Sequence, residues 1–112
     1  MDVPAERPFS LRAEEKNGAT VVHLEGELDL AGVPKLREAL HSAQHADVSQ
    51  IVVDLRGLTF LDSTGLGVLI AADNAGRDGH VALSFVRGIE TVQRVFKLTA
   101  VEERLNWVDA AD

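Results

Sequence analysis

A mixed central β-sheet with helices packed against it, an α/β domain, is the fold class this sequence predicts. Three observations predict it. Segments with a two-residue hydrophobic repeat alternate along the chain with segments of helical repeat. The run Ile51-Val52-Val53-Asp54-Leu55 is apolar on both sides, as a central strand under helices must be. The 112 residues, 46% hydrophobic and 26% charged, have ordinary globular composition and suffice for one domain with its own core.

Each element follows in order. Residues 1–8 hold two prolines and mixed charges and read as a flexible leader; the domain is expected over 9–109, with an exposed tail at 110–112. Phe9, Leu11 and Ala13 alternate and predict a first, edge strand over residues 9–14. Lys16-Asn17-Gly18 predicts a turn, because Asn and Gly accept left-handed backbone. Thr20 to Leu28 predicts a second strand, with Val22, Leu24 and Gly26 on one face. Asp29 to Gly32 reads as a connector, and Pro34 suits the first turn of a helix. Val33, Leu36, Leu40 and Ala43 give that helix one apolar stripe. Ile51 to Leu55 is the central strand, with residues 56–61 leading out of it. Leu66, Leu69, Ile70 and Asp73 mark a second helix that ends near Gly76 and Gly79. Val81 to Val86 predicts another strand, and Val92, Val95 and Phe96 a third helix. Leu105, Trp107 and Val108 read as a closing strand.

Composition excludes several function classes. With 11 Lys and Arg against 18 Asp and Glu, the net charge is −7. Such a surface repels phosphate backbones and anionic lipid, so neither nucleic acid nor membrane is an expected partner. There is no cysteine, hence no disulfide or thiolate chemistry. The start, MDVPAERPF, lacks a basic-then-apolar signal, and no apolar run approaches the ~20 residues of a membrane span, so a cytoplasmic location is expected. His23, His41, His45 and His80 are scattered, and no Asp, Glu or His cluster has metal-ligand spacing. His23 in its alternating strand reads as structural, and His80 as a solvent-facing turn residue. Ser63 lacks the G-x-S-x-G elbow of a hydrolase, since Leu61 stands at its first glycine. Gly65-Leu66-Gly67 lacks the lysine of a phosphate-binding loop. No catalytic residue, metal or cofactor is expected.

The segment Leu61-Asp62-Ser63-Thr64-Gly65-Leu66-Gly67 sits where a buried strand gives way to a helix. Asp62, Ser63 and Thr64 can each cap that helix. The two glycines cost about 1 kcal/mol each inside a helix, which points to close approach by another chain or by a neighbouring loop. Two readings stand side by side. Ser63 is a helix cap and Gly67 a packing glycine; or Ser63 is an exposed hydroxyl that accepts a phosphoryl group, with the free N–H groups of the helix start tolerating the added charge.

Three stretches carry a family resemblance over residues 9–108. Asp62-Ser63-Thr64-Gly65-Leu66-Gly67 resembles the phosphorylation loop of the anti-sigma factor antagonists, single STAS domains. Gly26-Glu27-Leu28-Asp29 is similar to that family's early strand end, and Val92-Gln93-Arg94-Val95-Phe96 with Leu98-Thr99 to its late helix and exit. The resemblance implies a STAS fold and a partner-switching role. The expected partners are an anti-sigma factor that is also a serine kinase of the histidine-kinase-like ATPase fold, and a PP2C-type phosphatase. It makes Ser63 the phosphoacceptor, and Asp62, Thr64, Gly65, Leu66, Gly67 and Asp29 the loop and docking residues, with Thr64 the lesser acceptor. A non-switching adaptor or scaffold subunit of a stress-sensing or lipid-transport complex is the alternative. Pro34 and Ala31-Gly32 depart from the pattern beside Asp29. Trp107, the sole tryptophan, reads as a core anchor or, if exposed, an interface residue.

Overall fold

The computed structural model describes residues 7–110. Strand β1 spans Ser10–Lys16 and β2 spans Ala19–Leu28. They are joined by Asn17 and Gly18, both at positive φ (54° and 80°), the two-residue turn whose twist matches a hairpin. A short 3₁₀ turn at Leu30–Gly32 leads into α1, Val33–Gln44. Then come β3, Gln50–Leu61, α2, Ser63–Arg77, β4, Leu83–Val86, and α3, Glu90–Leu98, with a final 3₁₀ turn at Glu102–Arg104. The sheet order is β1-β2-β3-β4, with β1 antiparallel to β2 and the other pairs parallel. This is the mixed sheet the alternation predicted.

The core lies on one face of the sheet. Val22, Leu24, Ile51, Val53, Leu55 and Phe85 project from the strands at two-residue spacing. Leu36 and Leu40 of α1, Leu66 and Leu69 of α2, and Val92 and Phe96 of α3 close over them in one cluster. The four α1 residues expected to face inward, Val33, Leu36, Leu40 and Ala43, are all buried.

Three boundaries differ from the expectation. β3 does not end at Leu55 but runs on to Leu61, pairing with Glu25 to Leu28 of β2 across two register shifts. Arg56 and Gly57 read as an exit because glycine weakens a strand, but here Gly57 lies at an irregularity; a Cβ there would come 2.7 Å from the Leu24 carbonyl oxygen. β4 begins at Leu83, because Val81 is instead held by the Gln44 side chain, which donates to its carbonyl and accepts from its N–H. The closing strand is reduced to a single bridge of Trp107 to Phe85. Trp107 is a core anchor: it packs edge-on against Phe96 and tilted against Phe85, and its Nε1 donates to the Glu102 carbonyl at 2.8 Å.

Of the expected leader, residues 1–6 lie outside the described residues. Arg7 and Pro8 run beside β2: the Arg7 carbonyl accepts from the Glu27 N–H at 2.9 Å, and Pro8 bridges to Glu27. Of the expected tail, 111–112 lie outside as well. No helix among the described residues is long and apolar enough to cross a membrane.

Candidate functional site

The parallel register places Leu28 beside Leu61 at the carboxyl ends of β2 and β3. An aspartate follows each. The Asp62 N–H donates to the Leu28 carbonyl at 3.2 Å, which ties the two strand ends together. Each aspartate then caps the helical turn that follows. Asp29 accepts from the Ala31 N–H at 3.0 Å. Asp62 accepts through one oxygen, Oδ1, from the N–H groups of Thr64 and Gly65, both at 3.0 Å. The same oxygen accepts from the Thr64 hydroxyl at 2.6 Å. Partial burial works against the Asp62 charge, but these donors outweigh it and hold the carboxyl below its usual range.

Asp62 is therefore the cap, and Ser63 is not. Ser63 is the first residue of α2, exposed, and its hydroxyl makes no hydrogen bond among the described residues. The two adjacent hydroxyls are thus unlike: Thr64 is engaged by the capping carboxylate and Ser63 is free. The Asp62 carboxylate also takes up the helix-start N–H groups of Thr64 and Gly65. A negative group on Ser63 would find two of the helix-start N–H groups already taken and would stand beside an anion already seated.

The two glycines also exchange roles. Gly65 is the packing glycine: a Cβ there would meet Leu28 at 2.7 Å and Leu61 at 3.0 Å, so α2 sits directly on the paired strand ends. Leu66 is buried beneath it. Gly67 packs against nothing; a Cβ there would meet open space. It lies four residues after Ser63 and so on the same helix face, leaving the surface next to the hydroxyl bare.

Two features were not found from sequence. The first is Leu30, 69% exposed, directly after Asp29. Its 3₁₀ turn packs against α2. A leucine inside a capped connector was the available signal. The second is a polar chain on the sheet face away from the core. His23 Nε2 lies 2.8 Å from Glu14 of β1, and its Nδ1 lies 2.8 Å from Asp54 of β3. Both contacts are hydrogen bonds at once only when each ring nitrogen carries a hydrogen. Asp54 also accepts from the Arg56 guanidinium at 2.9 and 3.0 Å and from its N–H at 3.1 Å. Burial raises the Asp54 pKa, but Arg56 and then His23 more than reverse this and hold it lowered to about 2. The signal was a charged residue at an interior position of IVVDL. His80 is exposed, as expected. Among the described residues no group of three or more His, Asp or Glu is placed to hold a metal.

The fold and site together define a small mixed-sheet domain that presents a free serine hydroxyl at a helix start. A family model described as Mlab, STAS domain matches residues 11–107. The chain therefore belongs to the STAS domain family. The anti-sigma-B factor antagonist of Staphylococcus aureus is 28% identical over 85 residues, 76% of this chain and 79% of that protein. Among solved structures, an anti-sigma factor antagonist from Mycobacterium paratuberculosis superposes with a TM-score of 0.84 at 24% identity, covering 98% of this chain and 93% of that one. The Bacillus cell-fate determinant SpoIIAA in its phosphorylated form superposes with a TM-score of 0.71 at 22% identity, over 92% and 93% of the two chains.

Proposed function

We propose that this protein is an anti-sigma factor antagonist that docks, in the cytoplasm, on an anti-sigma factor serine kinase and is switched off when that kinase phosphorylates Ser63. The observation that carries this reading is the contrast at the start of α2: Ser63 is exposed with a free hydroxyl, while Thr64 is bound to the Asp62 carboxylate. The similarity to the staphylococcal antagonist supports it. In the reaction, Ser63 Oγ attacks the γ-phosphorus of ATP. The bond to ADP breaks, and the hydroxyl proton passes to a base or water in the kinase site. A PP2C-type phosphatase hydrolyses the ester and returns the serine with release of inorganic phosphate.

The switch is electrostatic. The phosphoryl group adds about −1.5 to −2 charges. With Asp62 seated on the N–H groups of Thr64 and Gly65, that charge is added beside Asp62 on the exposed start of α2, where the partner docks. Like-charge repulsion and desolvation then weaken the complex. Each 1.4 kcal/mol lost is about tenfold in affinity, so two or three such units separate the bound from the released state.

A second reading is a non-switching adaptor or scaffold subunit. It is favoured by the description of the matching family model, which names Mlab rather than an antagonist. Intact-mass analysis separates the two. The protein and its Ser63→Ala variant are incubated with ATP and the candidate kinases of the same genome. A gain of about 80 Da, one phosphoryl group, in wild type and none in the variant is the expected result. Phosphate that persists in Ser63→Ala moves the acceptor to another residue. Stable binding to a candidate without any phosphate supports the adaptor.

A further inference from the structure

The sheet has two edges, and they are treated differently. Along β4 the chain returns: the Phe85 N–H donates to the Asn106 carbonyl and the Val108 N–H to the Phe85 carbonyl, both at 2.8 Å. Along the outer side of β1 no strand pairs among the described residues. Such an edge offers a row of backbone donors and acceptors to another chain, and charged side chains along it normally deter pairing. β1 is charged, but in balance: Arg12 and Lys16 stand against Glu14 and Glu15, in a chain of net charge −7. All of Arg12 to Lys16 is exposed.

The order of those charges decides what fits. When two copies of β1 pair antiparallel with all helices on the same side of the sheet, one residue lies opposite itself on the two-fold axis. Three such registers pair most of the strand. Centred on Arg12, two arginines meet. Centred on Glu14, two glutamates meet and Arg12 lies opposite Lys16. Centred on Ala13, Arg12 lies opposite Glu14 twice, Ser10 opposite Lys16 and Leu11 opposite Glu15. Opposite charges directly across strands attract and like charges repel, so the register on Ala13 is the one favoured. Arg12 and Glu14 share the sheet face away from the core. There His23 holds Glu14 in place through Oε1 at 2.8 Å, and a carboxylate has a second oxygen to offer a guanidinium. On the core side, Ala13, Glu15 and Thr20 with Ala39, Ser42 and Ala46 of α1 line a hollow of about 240 Å³. These small side chains leave room at the edge, and in this register the second copy brings Leu11 opposite Glu15, at the rim of the hollow.

We infer that the β1 edge is a self-association surface: two copies of this chain pair β1 to β1, antiparallel and centred on Ala13, and join their four-stranded sheets into one. Backbone hydrogen bonds supply the attraction, and the two Arg12–Glu14 pairs fix the register. The pairing uses neither Asp29, Asp62 nor Ser63, so it leaves the candidate site open and does not rest on the reading of Ser63.

Sedimentation of the full chain over a range of concentrations tests the charges. One strand per copy makes a small interface, so the dimer is expected to form at about micromolar concentrations or above. Arg12→Glu and Glu14→Arg each turn both attractive pairs repulsive and are expected to weaken the dimer about tenfold or more. Mixed one to one, the two variants place Glu opposite Arg at every such position and should form a heterodimer that neither forms alone. Thermal melting confirms that they fold. Cysteine pairing tests the register with the charges intact, since the chain has no cysteine of its own. Directly opposite residues have Cα atoms about 4.5–5.5 Å apart, within disulfide range, so Ala13→Cys should cross-link to itself under oxidised glutathione. Glu15→Cys should not, because its two copies lie four residues out of step, about 13 Å apart. A wild type that stays monomeric up to about 1 mM, a thousand times the micromolar scale, overturns the inference. So does a dimer that Arg12→Glu leaves unchanged, a mixture that fails to associate, or equal cross-linking of the two cysteine variants.

Discussion

At the scale of single residues, the described structure concentrates its charge chemistry in two aspartates with different tasks. Asp62 gathers three donors on one oxygen and so leaves Ser63 without a capping role. Asp54 is 5% exposed and binds Arg56 and His23 on the sheet face away from the core. Its folded pKa, lowered to about 2, lies below that of an unfolded aspartate, about 3.9. A lowered carboxylate pKa contributes stability that is fully present above the unfolded value and is lost as pH falls through the folded one. The window is therefore pH 4 down to 2. Asp54→Asn is expected to lose up to about 2.6 kcal/mol at neutral pH, the equivalent of that shift. Urea unfolding at pH 7, 5 and 3 checks it. The gap between wild type and variant should be constant from pH 7 to 5 and narrow at pH 3; a gap that stays the same width at pH 3 rules out the assignment.

At the scale of elements, the first turns of α2 hold two glycines, Gly65 and Gly67, that obey opposite rules. Gly65→Ala drives a methyl into Leu28 and Leu61 and is expected to cost about 1–3 kcal/mol. Gly67→Ala meets open space and is expected to gain up to about 1 kcal/mol from helix propensity. For a domain of this size, 1 kcal/mol moves the melting temperature by about 4–8 °C, so calorimetry on the two variants should give shifts of opposite sign. Destabilisation by Gly67→Ala would contradict the open surface at that position. The element pattern itself was readable from periodicity: the α1 stripe, the Asn17-Gly18 hairpin and the central strand lie where their residues put them. What could not be read depended on pairing. The extension of β3 through Arg56 and Gly57 exists because β2 supplies a bulged partner there. The Val81 backbone is satisfied by a side chain from α1, 37 residues earlier in the chain. The loop around Ser63 was recognisable as a strand-to-helix junction, but three neighbouring residues could each cap it, and local sequence does not rank them. Nor does it give the exposure of Leu30, which is set by where the Asp29-pinned turn points.

At the scale of the whole molecule, the site stands on a part of the fold that is held from several sides. The ends of β2 and β3 are paired at Leu28 and Leu61, linked again through Asp62, and roofed by α2 where Gly65 permits contact. A charge placed on exposed Ser63 meets a helix start already capped by Asp62 and has no buried side chain to displace. Under the proposed function, phosphorylation of Ser63 would then alter what the surface binds and leave the fold unchanged. Phosphorylated protein, or Ser63→Glu as a weaker substitute, is expected to melt within about 2–4 °C of wild type, the effect of a surface change near ±0.5 kcal/mol. Its affinity for the kinase should fall by about 100-fold or more, equivalent to about 2.7 kcal/mol. Part of that loss should be recovered as salt rises from low ionic strength to 0.15 M, where charges are screened beyond about 8 Å. Calorimetric melting and titration of the modified and unmodified protein against the same kinase test both halves. A fall in melting temperature of 10 °C or more on phosphorylation would mean that the start of α2 unwinds, and that the switch works through order and disorder instead of through charge on a standing surface. Retained stability with lost affinity is the outcome expected of a helix start that Asp62 already caps.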